Sequence, residues 1–470
     1  MSSIIPINTI LDEGYHLEEF DENSDTEEII DEFKQNNVNK YFALVDCNNF
    51  FVSCERAFNP DLQNKPVVVL SNNDGCIISR SQEAKVLGIR MGAPYFQSMG
   101  EITRNNVKVF SSNFALYADM SRRIFGILKN FYPDMEIYSI DEAFMLLQGD
   151  RELLIQQAQN IRKIILKWTG IPVSIGIAPT KTLAKVANEV AKGNLKNKSK
   201  ASLKSTNQEG IKAFVEKSDW EEILKIYPVK EIWGIGRKLT QFLLDRKIET
   251  AAELICKEDK WIRENLKIIG LRTVKELQGI VCFGIDNNPA TRKSIIASRS
   301  FGRPITNAEE LSQSIASYIS KAATKLRKDG SVAKYVQVYI VTNRFKKDLP
   351  QYYNSASRQL ITPTDYTPDL IKAALDALNE IYRKGYEYKK SGVLLSGLIT
   401  KDAAQVNLFE QKDRDKEDKL MQLMDSLNSR YGKPIIKIAR EGFNPDWTMK
   451  SSKRSDLYTF GWSQLLEVKS

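Results

Sequence analysis

EIYSIDEAFMLL, residues 136–147, sets two acids, Asp141 and Glu142, side by side between apolar runs. Burying one unpartnered carboxylate is costly, and burying two neighbours costs more because they also repel. The stretch therefore demands something positive nearby. In a regular strand adjacent side chains point to opposite faces, so the pair can address one site only where the chain bends. A hairpin between EIYSI and AFMLL supplies that bend and puts the acids at a sheet end. A second apolar run of strand length, YFALVD, ends at Asp46. If the two strands are neighbours, three carboxylates converge where two Mg²⁺ ions would sit roughly 3.5–4 Å apart. One ion lowers the pKa of an attacking hydroxyl and the other neutralises a leaving pyrophosphate. The plainer alternative makes Asp46 a helix cap and the acid pair an exposed turn. Each of those is favoured singly; for the three acids together the metal site is favoured.

The rest of the composition narrows the chemistry. Among 470 residues there is one histidine, His16, in a polar N-terminal segment. Serine–histidine catalysis, histidine-bound zinc and histidine general bases are thereby set aside for the folded body. An oxygen-only site suits a hard cation. Five cysteines (47, 54, 76, 256 and 282) form no CxxC pair, and no long uncharged apolar stretch or secretory start is seen. A cytoplasmic protein with no membrane span is expected. Residues 1–39 hold eleven acids against one base, Lys34. The remaining 67 basic and 48 acidic residues leave +19 from residue 40 onward, which points to a polyanionic partner such as nucleic acid.

Along the chain, the acidic leader 1–39 reads as a disordered arm. After YFALVD, the stretch CNNFFVSCERAF reads as a helix capped by Asn48 or Asn49. KPVVVLSNND is a buried strand, and SQEAKVLGI is a helix closing on Gly88. ALYADMSRRIFGILKNF and LLIQQAQNIRKIILKWTG are helices on either side of the acidic hairpin, and PVSIGIA followed by TKTLAKVANEVAK gives a strand and a helix. Residues 40–200 are thus α+β, and 201–290 are helical and basic around the corner WGIG. DNNPATRKS is a linker, 295–400 form a second α+β unit, and the last 70 residues are charged and sparse in core signal.

Three of these segments together resemble a Y-family translesion DNA polymerase, nearest the UmuC branch that supplies the catalytic subunit of DNA polymerase V. They are residues 41–92, YSIDEAF at 138–144, and SIGIAPTKTLAKVANEVAK at 174–192. The resemblance, spanning about residues 41–450, implies an α+β multidomain right hand. Its palm would be 40–65 and 105–200, its small fingers 66–104, its helix-hairpin-helix thumb 201–290 and its little-finger domain 291–400, followed by a tail 401–470. It implies Asp46, Asp141, Glu142 and the carbonyl of Cys47 as ligands for two Mg²⁺. Phe51 would be the steric gate whose ring excludes a 2′-hydroxyl, in a place where relatives often carry Tyr. Ser79, Lys85 and Lys192 would hold the triphosphate, although Gln82 stands where several relatives have Tyr and Lys85 where others have Arg.

The same resemblance assigns Gly234, Gly236, Arg237 and Lys238 of WGIGRKL to a DNA phosphate. Arg292, Lys293, Arg299 and Arg303 become sequence-independent backbone contacts. QVNLF, with Gln405, Leu408 and Phe409, looks like the peptide that docks on the sliding clamp. The tail beyond it, including Trp447 and Trp462, is a candidate site for a UmuD-like accessory subunit, and a recombinase filament is a further implied partner. Primer–template DNA and dNTP would be the substrates, in an SOS-type response to DNA damage. The rival readings are a non-catalytic DNA-binding, clamp-docking scaffold and a palm-type nucleotidyl cyclase.

Overall fold

The computed structural model describes residues 40–193, 210–286, 291–405, 413–431, 434–443 and 445–459. The acidic arm, Leu408, Phe409 and Trp462 lie outside the described residues. The sheet that carries the acids has the order β5-β6-β1-β7-β8, with β1 Lys40–Cys47, β5 Met135–Ile137, β6 Glu142–Gln148, β7 Val173–Ala178 and β8 Ile211–Ala213. Strand β1 sits at its centre and pairs antiparallel with β6 and β7. Its alternation divides the core in two. Ala43 and Val45 pack with the helices Phe114–Phe131 and Arg151–Thr169, while Phe42 and Leu44 pack with the helix Lys181–Ala191 and with the helical region beyond it. Helix and sheet approach closely at Gly176, where an added Cβ would stand 2.3 Å from the Asn188 nitrogen.

A second sheet has β2 Val67–Leu70 between β3 Ile77–Arg80 and β4 Lys108–Ser111, with β4 parallel to β2. Its small core contains Val68, Leu70, Ile77, Ile89 and Ile102. The expected boundaries shift at two strands. Strand β4 joins this sheet, whose other two strands lie in the range expected for the fingers, although residue 105 onward is expected in the palm. Strand β8 extends the central sheet although 201–290 was expected to be thumb. Both shifts come from pairing with strands distant in sequence, which local pattern does not report. The helices Ser218–Ile226, Arg237–Leu244, Ala251–Ile255 and Asp259–Leu277 follow. Buried Glu276 fastens the last of them, accepting from Thr182 nitrogen and Oγ1 at 2.8 and 2.7 Å and from the Cys282 and Phe283 nitrogens.

The second α+β unit is a sheet ordered β11-β10-β12-β9, from β9 Ser294–Ile305, β10 Ser331–Thr342, β11 Tyr353–Thr364 and β12 Tyr388–Ser396, with a short β13 Ile399–Thr400. The helices Ala308–Lys328 and Thr367–Ile381 cover one face. The polar stretch expected to be solvent-like forms the helix Arg414–Arg430, capped by Asp413. Arg327 Nε donates to Asp425 at 2.6 Å and Lys401 Nζ to Asp418 at 2.7 Å, so charge pairs hold a helix that apolar periodicity does not announce.

The last described segment, 445–459, is not a free tail. Trp447, offered in the sequence as an accessory-protein contact, is 5 % exposed and lies against Phe301 and Tyr318 in the core of the second α+β unit. From there the chain crosses to the finger sheet, where the Lys450 nitrogen donates to Asn73 Oδ1 at 2.9 Å. It then pairs with β4, the Ser111 nitrogen donating to Lys453 oxygen at 3.0 Å, and ends with Tyr458 stacked 4.9 Å from Phe58. Asn73 is bonded on both sides, since its Nδ2 also donates to Ser300 oxygen at 2.7 Å. Ser455 Oγ reaches Glu55, a carboxyl only 1 % exposed, at 3.1 Å.

Burial pushes Glu55 up to about 7, despite hydrogen bonds from Tyr117 and Ser455 that favour its charge. A carboxyl with a raised folded pKa binds its proton more tightly than the unfolded chain does. Its contribution is full below about pH 4.5 and is lost as pH rises through 7. Glu55→Gln should remove that slope. Thermal unfolding of wild type and variant between pH 4.5 and 8 should diverge by on the order of 3 kcal/mol, wild type falling relative to the variant; parallel curves would refute the assignment.

Candidate active site

The acidic hairpin forms as its sequence suggests. Strand β5 pairs antiparallel with β6, and residues 138–141 make the bend, with Tyr138 and Ser139 nitrogens both donating to Glu142 oxygen at 3.0 Å. Ser139 holds the turn, its Oγ donating to Asp141 Oδ1 at 2.6 Å and accepting from the Glu142 nitrogen at 3.0 Å. Register does the rest: Asp46 of β1 lies directly opposite Glu142 of β6. The Cys47 nitrogen donates to Asp141 oxygen at 2.9 Å, joining β1 to the bend. Asp46 and an acid pair more than ninety residues further along the chain thus occupy one sheet end.

Two lysines from one helix face supply the positive charge. Lys192 Nζ donates to Asp46 Oδ2 at 2.7 Å and to Glu189 at 3.3 Å. Lys185 Nζ donates to Glu142 Oε2 at 3.0 Å. That ammonium also lies 4.3 Å from the Tyr138 ring centroid, a cation–π contact that strengthens as water is excluded. The Tyr138 hydroxyl accepts from Trp233 Nε1 at 2.9 Å, so the WGIG corner is joined to the hairpin bend beside Lys185. Lys185, Trp233 and Tyr138 were not singled out from sequence. Lys185 had a signal there, lying one turn beyond Lys181 and two turns before Lys192 in the quoted helix.

The acids do not titrate alike. Burial raises Asp46 well above the carboxylate range; Lys192 opposes this, while the charges of Glu142 and Asp141 add to it. Asp141 is raised by burial and by Glu142. Glu142 is also subject to burial, but Lys185 and the shared hydrogen bond with Asp46 outweigh it and hold Glu142 low. The two carboxyls, opposite each other in the register, are pushed in opposite directions: Asp46 up by burial, Glu142 down by Lys185. Every donor at this end is oxygen, which suits a hard divalent ion. Among the described residues no three His, Cys, Asp or Glu side chains are closed around one point. The acids instead face the lysine and serine partners named above. The donor chemistry fits such an ion, and cation entry would take over the charge neutralisation that Lys192 now provides at Asp46.

The other expected contacts divide. Lys192 is in the site. Lys85 is exposed on the helix Gln82–Val86, and partial burial, then Arg80 and Lys192, hold its ammonium below the usual range. Ser79 is buried, with Oγ 3.4 Å from Asn49 oxygen, a weak bond. Phe51 is half-buried and stacks on Tyr117 at 4.6 Å, 15° from parallel. Neither asparagine caps the first helix by its side chain. Asn49 stands at the cap position in the left-handed conformation, φ 49°, because the chain must turn sharply out of β1. Asn48 Oδ1 is engaged by Ser174 Oγ at 2.8 Å.

Gly234 adopts φ 84°, and Gly236, Arg237 and Lys238 are exposed at the start of the helix Arg237–Leu244. Arg292 pairs with Asp329 at 2.9 Å, and Arg303 Nη1 with Glu310 at 3.2 Å. Arg299 Nη1 donates to Ser298 oxygen at 2.8 Å, and Lys293 is exposed. Gln405 is exposed at the edge of the described residues, and Leu408 and Phe409 lie beyond it.

Residues 45–189 match the impB/mucB/samB family, residues 292–408 the C-terminal domain of the same family, and residues 418–468 a domain of unknown function designated DUF4113. Protein UmuC of Salmonella typhimurium strain LT2 is 41% identical over 433 residues, 91% of this chain and all of that protein. Protein ImpB of Salmonella typhimurium is 40% identical over 427 residues, 90% of this chain and 98% of that one. In fold, the chain resembles a Y-family DNA polymerase chimera of Dbh and Dpo4, with a TM-score of 0.59 at 23% identity, covering 76% of this chain and 99% of that one.

If the sheet end is a divalent-cation site, Mg²⁺ should raise the unfolding temperature. At a cation concentration about 100-fold above Kd the gain is ~2.7 kcal/mol. Asp46→Asn should abolish it. Equal Mg²⁺-dependent shifts in both proteins would remove Asp46 from the ligand set.

Proposed function

The chain belongs to the impB/mucB/samB family, in the company of UmuC, and on that footing we propose that it is a translesion DNA polymerase. It adds deoxynucleotides to a primer opposite damaged template. The observation that carries this is the Asp46–Glu142 register pair with Asp141 at the adjoining bend. A nucleotidyl cyclase would share such acids but would not need the helix-hairpin-helix corner or the basic body. A scaffold would have no use for three clustered acids, whose burial is costly.

Polymerases of this kind depend on divalent metal; we assign two Mg²⁺ ions, held by Asp46, Asp141, Glu142 and the Cys47 carbonyl. When bound they would activate the primer 3′-hydroxyl and neutralise the leaving pyrophosphate. The remaining roles fall to the chain itself. Lys192, relieved of Asp46, turns its ammonium to the triphosphate with Lys85 and Ser79, stabilising charge on the leaving group. Lys185 stays on Glu142 and keeps that carboxylate ionised and in place. Phe51 lies under the sugar and leaves no room for a 2′-hydroxyl.

DNA is gripped through phosphates, by Gly234, Gly236, Arg237 and Lys238 in the thumb and by Arg292, Lys293, Arg299 and Arg303 in the little finger. Arg292 and Arg303 must exchange Asp329 and Glu310 for phosphate, which makes their grip weaker and more dependent on salt. Gln405, Leu408 and Phe409 dock on the sliding clamp. A UmuD-like accessory subunit and a recombinase filament complete the assembly, in an SOS-type response in the cytoplasm. No helix among the described residues is long and apolar enough to cross a membrane.

Asp141→Ala should lower primer extension by ~10³-fold or more while DNA affinity stays close to wild type. Wild-type extension by that variant would end the metal-site reading. Replacing Leu408 and Phe409 together by Ala should abolish stimulation by the clamp and spare basal extension. A retained clamp response would return QVNLF to a chance pattern.

A further inference from the structure

The matched domain of unknown function includes the strap 445–459, whose far end reaches the palm just behind the nucleotide pocket. A connected set of hydrogen bonds defines that end. Asn113 Nδ2 donates to Ser455 Oγ at 3.1 Å and to Asp456 oxygen at 3.1 Å. Asn113 is also the N-cap of the helix Phe114–Phe131, its Oδ1 accepting from the Leu116 nitrogen. Ser455 Oγ donates onward to Glu55 Oε1 at 3.1 Å. The same oxygen accepts from the Tyr117 hydroxyl at 2.6 Å.

Tyr117 is fully buried, and its ring is the one stacked on Phe51. Phe114 closes the corner edge-on, 5.9 Å from Phe51 and 6.1 Å from Tyr117. A phenylalanine gate has no hydroxyl with which to fix its own tilt. Its orientation is set by the rings it packs on, and only one of these has a polar handle, the Tyr117 hydroxyl. That handle is tied to Glu55, and Glu55 is tied to the strap. The strap also grips the cap of the helix that carries both supporting rings. Two separate routes therefore lead from Ser455 to the tilt of Phe51.

We propose that Ser455, Glu55 and Tyr117 are positioning residues for the Phe51 ring, so that the C-terminal strap sets how strongly the pocket rejects ribonucleotides. The proposal rests on the assignment of Phe51 to the sugar. A tilt of a few degrees in a ring that excludes one oxygen atom changes the room for a 2′-hydroxyl directly, while deoxyribose has nothing there to clash. The strap thus acts on the ratio between the two sugars more than on insertion as such.

The test is single-nucleotide insertion by the full-length chain, measuring kcat/KM for a dNTP and the matching rNTP. Tyr117→Phe keeps the ring and removes the handle, and Ser455→Ala removes the strap's donor. Each should lower the dNTP-to-rNTP ratio about 3- to 10-fold, the scale of one lost hydrogen bond. Ser455→Thr should restore it. In a Phe51→Ala background, Ser455→Ala should have no further effect on the ratio. Thermal unfolding is measured alongside, because a strap that only stabilises the fold would lower the melting temperature with the ratio unmoved. That outcome, with Phe51→Ala alone relaxing the ratio, overturns the positioning role. An unchanged ratio in Phe51→Ala would remove the gate assignment itself, and the proposal with it.

Discussion

Everything at the catalytic end follows from one constraint: carboxylates brought together out of water must be neutralised. Asp46 and Glu142 are forced opposite each other by the β1–β6 register, and Asp141 is held beside them by the hairpin. The helix Lys181–Ala191 answers with Lys185 on Glu142, and Lys192 at its C-terminal boundary takes Asp46. Closeness of helix and sheet makes this reach feasible, and Gly176 permits it by leaving no Cβ between them. A single helix therefore both completes the core and balances the charge, and Trp233 and Tyr138 draw the thumb into the same corner.

That arrangement has a functional logic. On the proposed reading Lys192, which neutralises Asp46 while substrate is absent, is already in place to meet phosphate, and Lys185 stays on Glu142. The protein avoids exposing a bare acidic cluster to the DNA it must approach, which would otherwise repel the backbone. Cations and nucleotide then displace contacts that are good but not irreplaceable.

Much of the fold was legible because its signals are local. The apolar runs YFALVD and PVSIGIA, the hairpin acids and the Gly-Ile-Gly corner each declare an element within a dozen residues. The convergence of Asp46, Asp141 and Glu142 was legible too, since strands ending in acids bring chemistry to one sheet end. What escaped was set by distance in sequence. Strands β4 and β8 choose partners far from themselves, and Lys185 is one more solvated lysine until Glu142 is placed under it. The segment 445–459 hid best. Its ties are mainly hydrogen bonds from serine, lysine backbone and asparagine, and no hydrophobic period marks it. Trp447 looked like a surface anchor and is a core residue, because Phe301 and Tyr318 leave a slot for it.

The strap lies downstream of every element it fastens. The β3-β2-β4 sheet and the second α+β unit each have a core of their own, while the central sheet shares one with the helices between residues 218 and 277. The strap ties these cores to one another, adding Trp447 to one and packing Tyr458 against another. Loss of the strap would therefore leave each core in place while removing the hydrogen bonds from Lys450, Lys453 and Ser455 that join the units.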